Sequence, residues 1–185
     1  MTYALFETGE RLAAGDRLTV ALAAQAVFAK RPDAPLLIFD PDGRQVDFDL
    51  RGTSEDLAAR LAPPAAEAEP EAPRGRGRPK LGVVAREVTL LPRHWDWLAA
   101  QPGGASVALR KLVEAARREA EAPDRRRRAR DAAYRFASAA AGDAPGFEAA
   151  MRALYAGDRE GFEAGLAEWP SDLAEHARLL AVEGF

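Results

Sequence analysis

Apolar and polar positions along the first sixty or so residues alternate, fall on one helical face, then alternate again. Tyr3 to Phe6 alternates weakly and reads as a short strand, interrupted by Gly9 and Gly15. Asp16 stands at a helix N-cap position, and Leu18, Leu22, Val27 and Phe28 share one face of a helix running to Lys30. Pro32 and Pro35 end it. Leu36 to Asp40 reads as a buried strand, followed by the turn Pro41-Asp42-Gly43-Arg44, where Asp42-Gly43 tolerates positive φ. Val46, Phe48 and Leu50 then alternate with Asp47, Asp49 and Arg51, which predicts a strand with one wet face. Ser54 to Leu61 reads as a short helix capped by Thr53 or Ser54. Residues 1–61 are therefore expected to form a small α+β domain, near the size at which a single core is marginal.

The pattern then stops. Pro63 to Pro73 holds three glutamates, four prolines and otherwise alanines, a composition that buries too little to offset its ordering entropy. Residues 62–82 are expected to be a disordered tether. Val83 to Pro92 is rich in β-branched and apolar residues and predicts a strand. Arg93 to Gln101 predicts a short helix with Trp95, Leu98 and Trp97, broken at Pro102-Gly103-Gly104. Ser106 is expected to cap a second helix, whose stripe of Leu109, Leu112, Val113 and Ala116 has i, i+3, i+4, i+7 spacing and which ends between Glu119 and Pro123. From residue 123 on, apolar residues at helical spacing, Phe147 with Met151 and Leu154, Phe162 with Leu166, and Leu173 with His176 and Leu180, predict an all-helical C-terminal domain with caps at Asp158 and Ser171. The fold class is α+β: a small N-terminal unit at 1–61, a linker at 62–82, a strand–helix–helix centre at 83–122 and a helical region at 123–185.

Charge changes the picture. The net charge over 185 residues is −3, but it is segregated. Residues 1–73 carry 7 basic and 13 acidic side chains (net −6), residues 74–130 carry 15 and 6 (+9), and residues 131–185 carry 4 and 10 (−6). A basic block between two acidic ones is an electrostatic footprint that the whole-chain balance hides.

Within that block Arg74, Arg76, Arg78 and Lys80 are spaced by Gly75, Gly77 and Pro79. A glycine-flanked arginine can reach the floor of a narrow, strongly negative A·T minor groove. The run Arg76-Gly77-Arg78-Pro79-Lys80 resembles the core of an AT-hook, which implies minor-groove binding to A·T-rich double-stranded DNA. The strand and two helices that follow cannot close a core alone, but two copies paired through their strands could. This arrangement resembles the ribbon-helix-helix domain of the Arc and MetJ class. The resemblance implies a homodimer whose ribbon enters the major groove; in one strand phase Arg86, Val88 and Leu90 face that groove, in the other Glu87 and Thr89. It also implies a phosphate contact from the backbone around Gly104, Ala105 and Ser106, where a helix start presents unpaired N–H groups. The arginines of Arg125 to Arg130 read as a solvated helix start with phosphate contact as a second role.

Other chemistry finds little footing. The chain has no cysteine, which excludes disulfides, thiolate ligands and a cysteine nucleophile. His94 and His176 have no second histidine at ligand spacing. Asp40, Asp42, Asp47 and Asp49 do not match a calcium loop and read as turn and surface residues. Ser54, Ser106, Ser138 and Ser171 lack a nucleophile-elbow context. No catalytic residue, metal or cofactor is expected, and no membrane partner, since no run of 18 apolar residues occurs. The start, without a basic segment and apolar core, predicts the cytoplasm, and the expected DNA binding would place the chain at the nucleoid. Over its whole length, including Gly157-Asp-Arg-Glu-Gly-Phe162 and Glu168-Trp-Pro-Ser-Asp172, the chain resembles an uncharacterised bacterial family, domain of unknown function number 2239, which implies no activity. The expected function is a dimeric DNA-binding protein, a transcription regulator or nucleoid component. The alternative is an antitoxin-like dimeriser or interaction module whose basic run binds an acidic protein or RNA.

Overall fold

The computed structural model describes residues 2–62, 84 and 86–185. Among them the fold is α+β: strands β1 (Tyr3–Glu7), β2 (Glu10–Gly15) and β3 (Leu36–Phe39), and helices α1 (Arg17–Lys30), α2 (Ser54–Leu61), α3 (Pro92–Ala99), α4 (Gly104–Ala140), α5 (Phe147–Ala156), α6 (Arg159–Gly165) and α7 (Ser171–Ala181). The chain divides into two compact units, one of residues 1–63 with 122–185 and one of residues 64–121, so α4 contributes its C-terminal part to the first and its start to the second.

The first unit is built on a three-stranded antiparallel sheet in the order β2-β1-β3. Both faces of its central strand are covered. Ala4 and Phe6 point with Phe39 into a cluster containing Ala133, Phe136, Ala137 and residues of α5, α6 and α7. Leu5 and Ile38 point the other way, onto Val20 and Ala24 of α1. A strand buried on both faces reads as a continuous apolar run rather than an alternation, which is the pattern of Leu36–Phe39. The N-terminal and C-terminal regions, expected as separate domains, thus share one core. An aromatic group joins them, with the ring of Phe136 4.8 Å from that of Phe39 and 5.4 Å from that of Phe6.

Strand β2 was hidden in the sequence by two local irregularities. Thr8 and Gly9 both have positive φ, 46° and 92°, and form a two-residue hairpin loop whose twist suits the strands on either side. Leu5 then pairs with Ala13 while Phe6 pairs with Arg11, so Leu12 is an extra residue, a β-bulge. The expected strand over Val46–Leu50 does not form. One bridge, Phe39 to Gln45, and one hydrogen bond, from Val46 N–H to the Ile38 carbonyl, hold its start. Val46, Phe48 and Leu50 still pack on the α1 side of the core.

Helix starts follow the expected caps where a short polar side chain is available. The Thr19 N–H donates to Asp16 Oδ1 at 2.7 Å. Thr53 and Asp56 form a reciprocal capping box at α2, and the Gly161 N–H donates to Asp158 at α6. At α7 the N-cap is Pro170 and Ser171 is the first helical residue, one step inside the expected position. Helix α4 departs further. The expected stop at Glu119–Pro123 is absent, and Pro123 lies inside a 37-residue helix. Proline removes one backbone donor and crowds the preceding turn, but the Ala, Glu and Arg residues on either side are strong helix formers.

Candidate functional site

The second unit carries most of the residues singled out for nucleic-acid contact. Arg74, Arg76, Gly77, Arg78, Pro79 and Lys80 lie outside the described residues. Arg86 is exposed in the segment that leads into α3, whereas Gly104, Ala105 and Ser106 form the first turn of α4 beyond it. The described residues of 83–92 form no strand before Pro92, and a strand exists only as a ladder with a partner. Pro92 occupies the first turn of α3, where its missing N–H costs nothing. Gly103 and Gly104 have φ of 87° and 74°, and nothing lies within 4 Å of a Cβ built on Gly104. Ser106, expected as the cap, is the third residue of α4, and its carbonyl accepts from Arg110 Nε at 3.2 Å.

What this unit leaves exposed is apolar. Leu98 and Ala108 are buried, but Val88, Leu91, Trp95, Trp97, Leu112 and Val113 are exposed, Trp97 at 52% and Val113 at 64%. Leu90, His94, Trp97, Leu98, Leu109 and Leu112 line a groove of about 280 Å³ between α3 and the start of α4. Six large exposed apolar side chains in a segment this short are far more than scattered surface residues explain.

Basic side chains share α4 with that face. From Gly104 to Ala140 the helix carries ten basic and five acidic residues, net +5. In the second unit Glu114 accepts from both Arg117 and Arg118, at 2.9 and 3.1 Å, and those arginines hold its carboxyl below the usual carboxylate range. In the first unit the Arg125–Arg130 run divides by helix face. Arg130 is structural: it donates to the Gly184 carbonyl at 2.6 Å and to the Tyr155 carbonyl at 3.0 Å, pinning the C-terminus. Arg127 pairs with Asp124 at 2.9 Å. Arg125 and Arg128 line a cleft with α7, and Arg126 is exposed.

The carboxylates considered for a cation are occupied by protein groups. Asp40 accepts from the N–H groups of Asp42 and Arg44, both at 2.9 Å, and Asp49 accepts from Arg51 at 2.8 Å. Among the described residues no group of three or more His, Asp or Glu side chains is arranged to hold a metal ion. His94 borders the apolar groove of the second unit. His176 is 3% exposed, with its ring 4.6 Å from that of Phe136 and 5.4 Å from that of Phe6. Burial, reinforced by the charge of Arg11, lowers its pKa to about 4, and its Nε2 has no hydrogen-bond partner. Helical spacing with Leu173, Leu179 and Leu180 puts His176 on the apolar face of α7, but nothing local signals its aromatic neighbours or its unpaired nitrogen.

These features define an α+β protein with an aromatic-centred core and a separate helical unit that shows an apolar face and a basic helix. A family model described as an uncharacterised protein conserved in bacteria, DUF2239, matches residues 2–181, and the chain belongs to that family. No curated protein and no solved structure matches the chain. Among the described residues no helix is long and apolar enough to cross a membrane.

Proposed function

We propose that this chain is a non-enzymatic, dimeric DNA-binding protein of bacteria, a transcription regulator or nucleoid component. In this reading the exposed apolar side chains of α3 and α4 become the core between two copies, with the segment before Pro92 pairing as a ribbon. Arg76, Gly77, Arg78, Pro79 and Lys80, with Arg74, enter an A·T-rich minor groove, and the backbone at Gly104, Ala105 and Ser106 takes a phosphate. Arg86 faces the major groove. The observation that carries the reading is the coincidence, in one segment, of a +9 charge over residues 74–130 with an apolar face that a single copy leaves in water. Counterion release makes the charge effective without base-specific geometry, and two hooks joined in a dimer raise each other's effective concentration.

The test is a titration of A·T-rich duplex, G·C-rich duplex and single-stranded RNA at several salt concentrations, with wild type and an Arg76→Ala/Arg78→Ala variant. The expected result is tighter A·T binding, which the variant loses along with part of the salt slope. Equal, weak binding of all three by both proteins overturns it. The apolar groove beside Trp97 and Leu112 favours one other reading, an antitoxin-like interaction module whose basic run meets an acidic protein or RNA. Preference for the single strand in the same titration selects that reading.

A further inference from the structure

In the first unit a cleft of about 460 Å³ opens between α4, α7 and the Pro41–Asp42 turn, within the range of small-molecule sites. Its walls differ in chemistry. The α4 wall presents Arg125, Arg128, Ala129 and Ala132, one helical face at i, i+3, i+4, i+7 spacing. The other presents Leu179, Leu180 and Val182, with His176 between them and the core. Leu179 and Val182 are 57% and 59% exposed, so the cleft holds aliphatic surface in water opposite guanidinium groups. Arg128 has no ion-pair partner among the described residues.

The two acidic residues at the cleft narrow the choice of ligand. Asp42 is turned to Arg44 at 3.5 Å, and its carbonyl accepts from Arg135 at 3.1 Å. Glu183, an exposed residue, also lines the cleft, where it opposes a multiply charged anion more strongly than a singly charged one. His176 is neutral at physiological pH and adds no charge. Its unpaired Nε2 leaves a buried polar group unsatisfied.

We propose that this cleft binds a small monocarboxylate with an apolar body, its head on Arg128 and Arg125 and its body on Leu179, Leu180 and Val182. The site is independent of DNA binding by the second unit, and its test uses no nucleic acid.

Calorimetric titration of the full chain compares three probes: octanoate, octylamine with the same body and opposite charge, and inorganic phosphate with no body. The expected result is saturable octanoate binding, at least about tenfold tighter than phosphate, with no saturation by octylamine. Arg128→Ala then weakens octanoate about tenfold, Leu179→Asp abolishes binding, and Arg126→Ala, a neighbour outside the cleft, changes nothing. In nitrogen-detected spectra octanoate shifts the His176 imidazole resonances. Absence of saturable octanoate binding, equal binding of octylamine or phosphate, or unchanged affinity in Arg128→Ala overturns the proposal. The three-probe comparison on the wild type decides by itself if a variant does not fold.

Discussion

Between Phe6 and Phe136 the imidazole of His176 has exchanged water for aromatic faces without gaining a hydrogen bond at Nε2. Its pKa falls from 6.5 to about 4 on folding, through burial and then the charge of Arg11, which Glu175 only partly offsets. Between those values the unfolded chain binds a proton that the folded chain refuses, so stability is full above pH 6.5 and is lost as pH falls toward 4. The loss amounts to at most ~3 kcal/mol. His176→Phe removes the titration while keeping a ring in place. Carboxylates elsewhere also titrate in acid, so the quantity to measure is the difference between variant and wild type in urea unfolding. It should grow by ~2–3 kcal/mol in favour of the variant from pH 7 to pH 4, whereas a difference independent of pH would remove the claim. Thr8 is the other residue whose local state is costly. It is exposed and β-branched with φ at 46°, where asparagine is favoured. Thr8→Asn should raise stability by ~0.5–1 kcal/mol, read from the denaturant midpoint.

At the scale of elements, what could be read in the sequence was what depends on near neighbours. Asp16, Thr53 with Asp56, and Asp158 act through groups three residues away; Asp16 and Asp158 stand where the sequence places them, and Thr53 is one of the two caps it offers for α2. Strand β2 escaped because its bulge at Leu12 breaks the two-residue period that reveals a strand. Over Val46–Leu50 the alternation was real but reported only which side chains face the core, not whether a ladder forms. Helix α4 runs through Pro123 because the strong helix formers on both sides outweigh the single donor that the proline removes. Pro123→Ala restores a donor toward the Glu119 carbonyl and relieves the ring's crowding, so it should stabilise the helix by up to ~3 kcal/mol. An unchanged or lower melting temperature would mean the proline is needed where α4 passes between units. Helices α5 and α6 make the opposite case. A Cβ on Gly165 would stand 2.6 Å from Ala150 Cβ and 2.7 Å from its backbone nitrogen, so Gly165→Ala should cost ~1–3 kcal/mol by forcing the helices apart.

At the scale of the whole molecule, the pairing of distant segments was not legible. Phe6, Phe39, Phe136 and His176 each fit a local pattern, but their meeting depends on sequence separations that no periodicity records. The same holds for the cleft, whose residues come from three parts of the chain. The second unit is the reverse: its apolar stripe and its share of the basic block were visible, and the structure leaves that stripe exposed. Exposed aromatic and aliphatic side chains are a standing loss of ~25 cal/mol per Å² relative to burial, and a symmetric partner covers the same patch on both copies at once. If two copies meet there, light scattering gives a mass of twice 19.9 kDa, and the melting temperature rises with protein concentration because association favours the folded state. Trp97→Asp, at an exposed position in α3, places a charge in that interface without touching the core of the first unit. It should yield a folded 19.9 kDa monomer, and under the proposed function its A·T-duplex affinity falls, since two hooks would no longer be held together. A wild-type monomer at micromolar concentration with a concentration-independent melting temperature would remove the dimer and, with it, the reason for two joined hooks.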